Sequence, residues 1–245
     1  TRIGYAADWS EYFGHQPGDG SGDVFFHLDP LWADGNVDFI GIDNYMAVSD
    51  WRDGFEHLDA QEGWPAIHDR AYLQGNIAGG EGYDWFYASD ADRAAQVRTP
   101  VTDGAHGKPW VFRTKDLRSW WSNLHFDRPG GVEAGTPTAW VPQSKPIRFT
   151  ELGCPAIDRG TNQPNVFFDP KSSESAVPYF SRGWRGRRDP ARLSRGDVPL
   201  VGRGREQPGV RRIWRPDGAC ARMRRLDLGR AALSLLSRAD RRLDG

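Results

Sequence analysis

Cysteine is nearly absent from this 245-residue chain, where only Cys154 and Cys220 occur. Two cysteines so placed supply neither a disulfide framework nor the paired spacing of a zinc site. The six histidines (His15, His27, His57, His68, His106 and His125) show no HExxH or comparable ligand spacing, so neither a catalytic metal nor a cofactor is expected. No apolar run is long enough to span a bilayer, and mean hydropathy is low at −0.67. Thr1 stands where an initiator methionine would, and no charged-then-apolar leader follows it. The expectation is a fragment or processed chain without a signal peptide. A surplus of either charge is missing too: 32 basic residues face 33 acidic ones, which gives no ground for a nucleic-acid partner or a membrane surface. Internal repeats are lacking, and the length fits one large domain with a substantial core.

What is present is a short stretch on which the reading turns, Ile147-Arg148-Phe149-Thr150-Glu151-Leu152-Gly153-Cys154. A β-prone run ends there in a carboxylate and then a glycine, as when a (β/α)₈ barrel strand delivers an acid to the carboxyl-terminal rim. A strand-end glutamate also serves as a cap or salt-bridge partner, and that alternative stays open. Two further runs have the same design. Arg2 to Ala7 leads to Asp8 and Trp9, and Val37 to Ile42 leads to Asp43, Asn44 and Tyr45. Continuous apolar, β-branched strands suit a parallel sheet covered on both faces.

Nearly a hundred residues separate the second and third runs, too many for a plain crossover and suited to a functional rim insertion. Within it, helical character is expected from Trp64 to Ile77, stopped by Gly79-Gly80, and again after an N-cap at Ser89 or Asp90. Gly79 to Gly82 lacks the lysine of a phosphate loop and reads as a turn. Pro109 to Trp121 is dense in aromatic and basic residues. Trp9, Tyr45, Trp110, Trp120, Trp121 and Trp140 are candidate stacking platforms for sugars, although about half should simply be core. Arg113 and Lys115 are expected in solvated ion pairs with Glu81, Asp84 or the Glu151 region.

Composition breaks sharply near residue 181. The last 65 residues hold 18 arginines, no lysine and 7 acids, whereas the first 180 hold 14 basic and 26 acidic residues. Only Trp184 and Trp214 represent the aromatics beyond the break.

GYAADWSEY, DFIGIDNYM and IRFTELGCP stand in order along the chain, with WADGNVDFIGIDNYM, AYLQGNIAGGEGYDWFYASDADR, HGKPWVFRTKDLRSWW and DPKSSESAVPYFSRGW around them. Together they resemble the TIM-barrel-like domain of the large baseplate (tail-hub) protein of gene transfer agents and related phage tails, from Thr1 to about Trp184. That domain is itself similar to clan-A glycoside hydrolases. The resemblance implies an α/β fold, the C-terminal part of a (β/α)₈ barrel, with the three runs as strands five to seven. It implies Glu151 as the nucleophile of a retaining hydrolase, with Asp8, Trp9, Asp43, Asn44, Tyr45, Trp110, Trp120 and Trp121 as glycan-binding residues. Asn44 could equally cap the next loop, and Asp8, Glu11 and Asp43 are read as sugar-hydroxyl ligands or arginine partners.

Retaining hydrolysis needs two carboxyls about 5–5.5 Å apart, one attacking and one protonating. In the clan the acid comes from strand four, which none of these three runs represents, so the chain alone is expected to be incomplete and inactive. Implied partners are a bacterial surface or cell-wall polysaccharide and other tail or baseplate proteins. The implied location is the tail of a phage-like particle made in the bacterial cytoplasm. A non-catalytic structural or glycan-binding baseplate element is the alternative.

The domain reading is a partial barrel over residues 1–184 and an Arg-rich tail over 185–245 that is out of frame. Read one base later, with suitable codons, Asp189 to Gly204 encodes TQRAYLEATYLWWGEA, Arg211 to Gly218 encodes VVYGGPM, and Leu226 to Leu235 encodes WTWDARPYPF. The last resembles the family's eighth strand. A genuine Arg-rich nucleic-acid arm is the competing reading.

Overall fold

The computed structural model describes residues 1–184. The Arg-rich segment 185–245, with the frameshift reading attached to it, lies outside the described residues.

Among the described residues five strands form, in chain order β1 (Gly4–Asp8), β2 (Phe39–Asn44), β3 (Trp85–Phe86), β4 (Thr99–Pro100) and β5 (Ile147–Leu152). The first, second and fifth make one parallel sheet in the order β1-β2-β5, and β3 pairs with β4 as a short antiparallel ribbon. The three expected strands therefore exist and lie side by side. β2 is central and almost wholly buried, as its run of Ile40, Gly41 and Ile42 requires. Gly41 is there for contact: a Cβ on it would meet the Tyr5 carbonyl oxygen at 2.4 Å and the Ala6 Cα at 3.0 Å. Three strands are fewer than the eight of a closed barrel, and no closed barrel forms among the described residues.

The helices are short: α1 (Asp29–Ala33), α2 (Leu58–Gln61), α3 (Arg70–Gly75), α4 (Asp90–Ala95) and α5 (Leu117–Ser122). Side-chain oxygens start three of them, with Asp69 accepting from the Tyr72 amide, Ser89 from Asp92 and Asp116 from Ser119. Ser89 is thus the cap of the pair proposed from sequence. Over 64–77 the helix is shorter than expected, confined to α3 and a 3₁₀ turn at Asn76–Ala78. Asp69, as cap, sets its start.

One core joins the sheet to the insertion. Ala7, Ile40, Ile42, Ile147 and Phe149 from the strands pack with Tyr12, Phe26, Trp32, Trp120 and Trp140. At its centre His125, fully buried, stacks on Phe26 at 4.3 Å and Trp140 at 5.6 Å between ring centroids. Its Nδ1 lies 2.9 Å from an Asp29 carboxylate oxygen and its Nε2 2.7 Å from the Trp120 carbonyl. The insertion has a second core of Trp51, Ile67, Tyr72 and Leu73. Beside it Arg98 bridges buried Asp50 and Asp59, at 2.9 and 2.8 Å.

Gly41→Ala is expected to push β1 off β2 and destabilise the fold by about 1–3 kcal/mol, the usual range for overpacking. Urea denaturation against wild type measures it. An unchanged midpoint would show that the sheet has room there.

Candidate active site

Parallel pairing sets the strand ends level. In the register Asp8 lies opposite Asp43, and Asp43 opposite Glu151, so three carboxylates form one row at the carboxyl ends of β1, β2 and β5. The row depends on an irregularity. Ile42 pairs with Phe149 but Asp43 with Glu151, so Thr150 is an extra residue in β5, a bulge of the kind that re-aims a side chain. The Thr150 hydroxyl donates to Asp43 Oδ1 at 2.6 Å, tying the bulge to the neighbouring strand.

Glu151 is half-buried, and the Tyr45 hydroxyl donates to its Oε2 at 2.6 Å. Tyr45 follows the end of β2, so the register that aligns the carboxylates also delivers this phenol. Such a bond to an ionised carboxylate is of the strong, charge-assisted type and fixes its rotamer. Asp8 is exposed and accepts from the Ser10 amide at 2.9 Å, and Glu11 accepts from the Tyr5 hydroxyl at 3.3 Å. Asn44 is buried, with its Oδ1 accepting from the Met46 amide at 3.1 Å, which is the loop-capping alternative.

A cleft of about 710 Å³ opens beside the row. Of the residues expected to bind glycan, Trp9 and Tyr45 line it. Glu151, Asp8, Asp43, Asn44, Trp110, Trp120 and Trp121 do not. Trp120 is corrected to a core residue: it is 1% exposed, its Nε1 donates to the Phe13 carbonyl at 3.0 Å, and its ring lies 5.3 Å from Trp140. It has no free face for a sugar. Trp110 and Trp121 are half-buried against the same core, with Trp121 Nε1 donating to the Lys145 carbonyl at 2.6 Å. Trp140, at 1% exposure, is core as well.

Sequence reasoning missed the cleft's charged residues. Glu81 leaves the expected glycine turn, where Gly80 and Gly82 take φ of +68° and +79°, and pairs bidentately with Arg93 of α4 at 2.6 and 3.0 Å. Lys115 overturns the expectation of a solvated ion pair. It is 5% exposed, and its Nζ donates to the carbonyls of Asn76 and Gly79, at 3.0 Å each. Burial pushes its ammonium down to about 7, against the opposing pull of Glu81 and Asp84. Arg113 contacts Asp116 at 3.9 Å, on its own segment. No periodicity marks a lysine for burial. The only local hint is that Lys115 stands beside the Asp116 cap in a run otherwise rich in aromatics.

The family model of the GTA TIM-barrel-like domain matches residues 1–195. The chain belongs to that family. The match agrees with the three parallel strands, and it makes the chain a gene transfer agent protein and a component of a phage-like particle. No curated protein matches this GTA TIM-barrel-like chain. Among its described residues no helix is long and apolar enough to cross a membrane, and no cluster of three or more His, Cys, Asp or Glu could hold a metal ion.

Lys115 makes the stability of this domain depend on pH. Its folded value near 7 lies below the unfolded value of 10.5, so between them the unfolded chain holds the extra proton. Stability should therefore rise with pH from about 7 towards 10, by up to ~4 kcal/mol at 1.36 kcal/mol per pH unit. Urea midpoints at pH 7, 8 and 9 measure the slope, which Lys115→Met should remove. A flat or falling wild-type profile would show that burial does not lower Lys115 in the folded protein.

Proposed function

We propose that this GTA TIM-barrel-like domain is a glycoside-hydrolase-like module of the particle's tail baseplate, acting on a bacterial surface or cell-wall polysaccharide by retaining hydrolysis. In this reading β1, β2 and β5 are barrel strands five, six and seven, and Glu151 is the nucleophile. The observation that carries it is the Tyr45–Glu151 hydrogen bond of 2.6 Å at the level ends of parallel strands, beside a cleft with an aromatic wall. Fold by itself would not support an activity.

The chemistry follows the two-carboxyl scheme. Glu151 attacks the anomeric carbon and forms a glycosyl ester as the bond to the leaving oxygen breaks. An acid on a strand other than β1, β2 and β5 protonates that oxygen, then deprotonates the water that cleaves the ester and frees Glu151. Tyr45 holds the carboxylate in its attacking orientation. Asp43, tied to Thr150, and exposed Asp8 serve as hydrogen-bond acceptors for sugar hydroxyls, and Trp9 offers a stacking face.

A second reading has its own support. Glu151 is not among the residues that line the cleft, as a barrel retained for glycan attachment or as baseplate scaffold would permit. Hydrolysis of envelope glycans by the complete domain distinguishes the two. Glu151→Gln is expected to lower turnover by about 10³-fold or more, while Tyr45→Phe lowers it about 10- to 100-fold, the worth of one hydrogen bond to a charged group. Glycan binding without turnover in wild type would favour attachment, and turnover unaffected by Glu151→Gln would remove the nucleophile assignment.

For residues 185–245 we propose that the encoded frame has shifted between about Trp184 and Asp189, scrambling the eighth strand. They hold 17 arginines and no lysine, which supports a change of reading frame over a designed basic arm. Sequencing the encoding DNA beside close relatives tests this. A continuous frame with no insertion or deletion would refute it.

A further inference from the structure

The cleft wall holds three charged side chains among the described residues: Glu81, Arg93 and Lys115. Two of them satisfy each other. Glu81 and Arg93 form the bidentate pair, and the Arg93 guanidinium is further held over the rings of Tyr179 at 4.1 Å and Tyr87 at 4.6 Å. The charge of Arg93 is thereby neutralised by a carboxylate of the protein itself. Lys115 is different. An ammonium has three N–H donors, and only two have acceptors here, both of them neutral backbone carbonyls. Lys115 makes no ion pair among the described residues. A buried cation without an anionic partner is costly, and an incoming anion removes that cost.

The rest of the wall suits a sugar. Trp9, Tyr45 and Tyr179 supply ring faces, and Gln163 supplies an amide, whereas the Asn162 amide is spent on Ser49, Trp51 and Tyr179. We infer that the cleft is a subsite for an acidic glycan, in which the carboxylate of a uronic acid accepts a hydrogen bond from Lys115. This rests on the glycan reading of the preceding subsection and deepens it by naming the substrate class. It also divides the site by charge. The row of Asp8, Asp43 and Glu151 is acidic and would repel a carboxylate laid across it, so the acidic sugar belongs in the Lys115 cleft and a neutral sugar at the row.

The test is calorimetric titration of the full chain with oligogalacturonate and with hyaluronan oligomers, each beside its carboxyl-reduced counterpart. Reducing the carboxyl changes the ligand and leaves the protein untouched, so the comparison does not depend on a variant that folds. Carboxyl reduction is expected to weaken binding on the order of 10- to 100-fold, the range for a hydrogen bond to a charged group. In Lys115→Met, with its fold checked by circular dichroism, acidic and reduced oligomers should bind alike and as weakly as the reduced ones bind wild type. Equal binding of acidic and reduced oligomers by wild type would overturn the inference and leave the glycan reading standing. So would a preference that survives in folded Lys115→Met. Binding of neither form overturns it as well, and failure of a neutral oligosaccharide panel alongside would remove the glycan reading too.

Discussion

The parallel pairing of β2 with a strand on each side governs the rest of this molecule. Parallel strands run the same way, so their carboxyl ends finish at one level, and whatever residues stand there are brought together. Here those residues are Asp8, Asp43 and Glu151, with Tyr45 two residues beyond Asp43. An antiparallel partner would have put one of the three at the opposite edge. The bulge at Thr150 refines the arrangement, because in an unshifted register Asp43 would stand opposite Thr150 and not Glu151.

Packing explains why so many tryptophans end up away from the cleft. A sheet of three short strands offers little apolar surface, and the long insertion covers it with large rings. His125 stands among these rings with an acceptor at each nitrogen, Asp29 on one side and the Trp120 carbonyl on the other. Asp29 is in turn bonded by the Thr138 hydroxyl. Polar groups inside an aromatic core are tolerated when each finds a partner, and these also lock the α1 segment to the loops around 120–140.

Charge is distributed by the same logic of partnership. Arg98 joins Asp50 to Asp59 beside the second core, and Arg128 joins Asp103 to Glu133 in another part of the insertion. Burial holds Asp59 up at about 6 even so. Lys115 is the contrast, since carbonyl oxygens supply its direct contacts while Glu81 and Asp84 act on it only from further off. Membership of the GTA TIM-barrel-like family places the chain in a phage-like particle. The charge pattern of cleft and row frames the question of what the particle touches.

The amino-acid sequence alone determined the strands and what ends them. β-branched and apolar runs announce β2 and β5 locally, Glu151 and Asp43 follow directly in the chain, and Ser89 declares a helix start through its own side chain. Motif order also sufficed to name the family, because it needs no coordinates. Tertiary structure decided everything that depends on distant neighbours. Trp9 and Trp120 look equivalent as residues, yet one lines the cleft and the other fills the core, since burial is set by what packs from more than a hundred positions away. The hydrogen bond from Tyr45 to Glu151 spans 106 positions and exists only because β2 and β5 pair. Lys115 reads as a surface cation until the turn at 76–82 folds over it. Propensity acts within a few residues of chain, whereas burial and pairing act through space, and the site is made of the second kind of interaction.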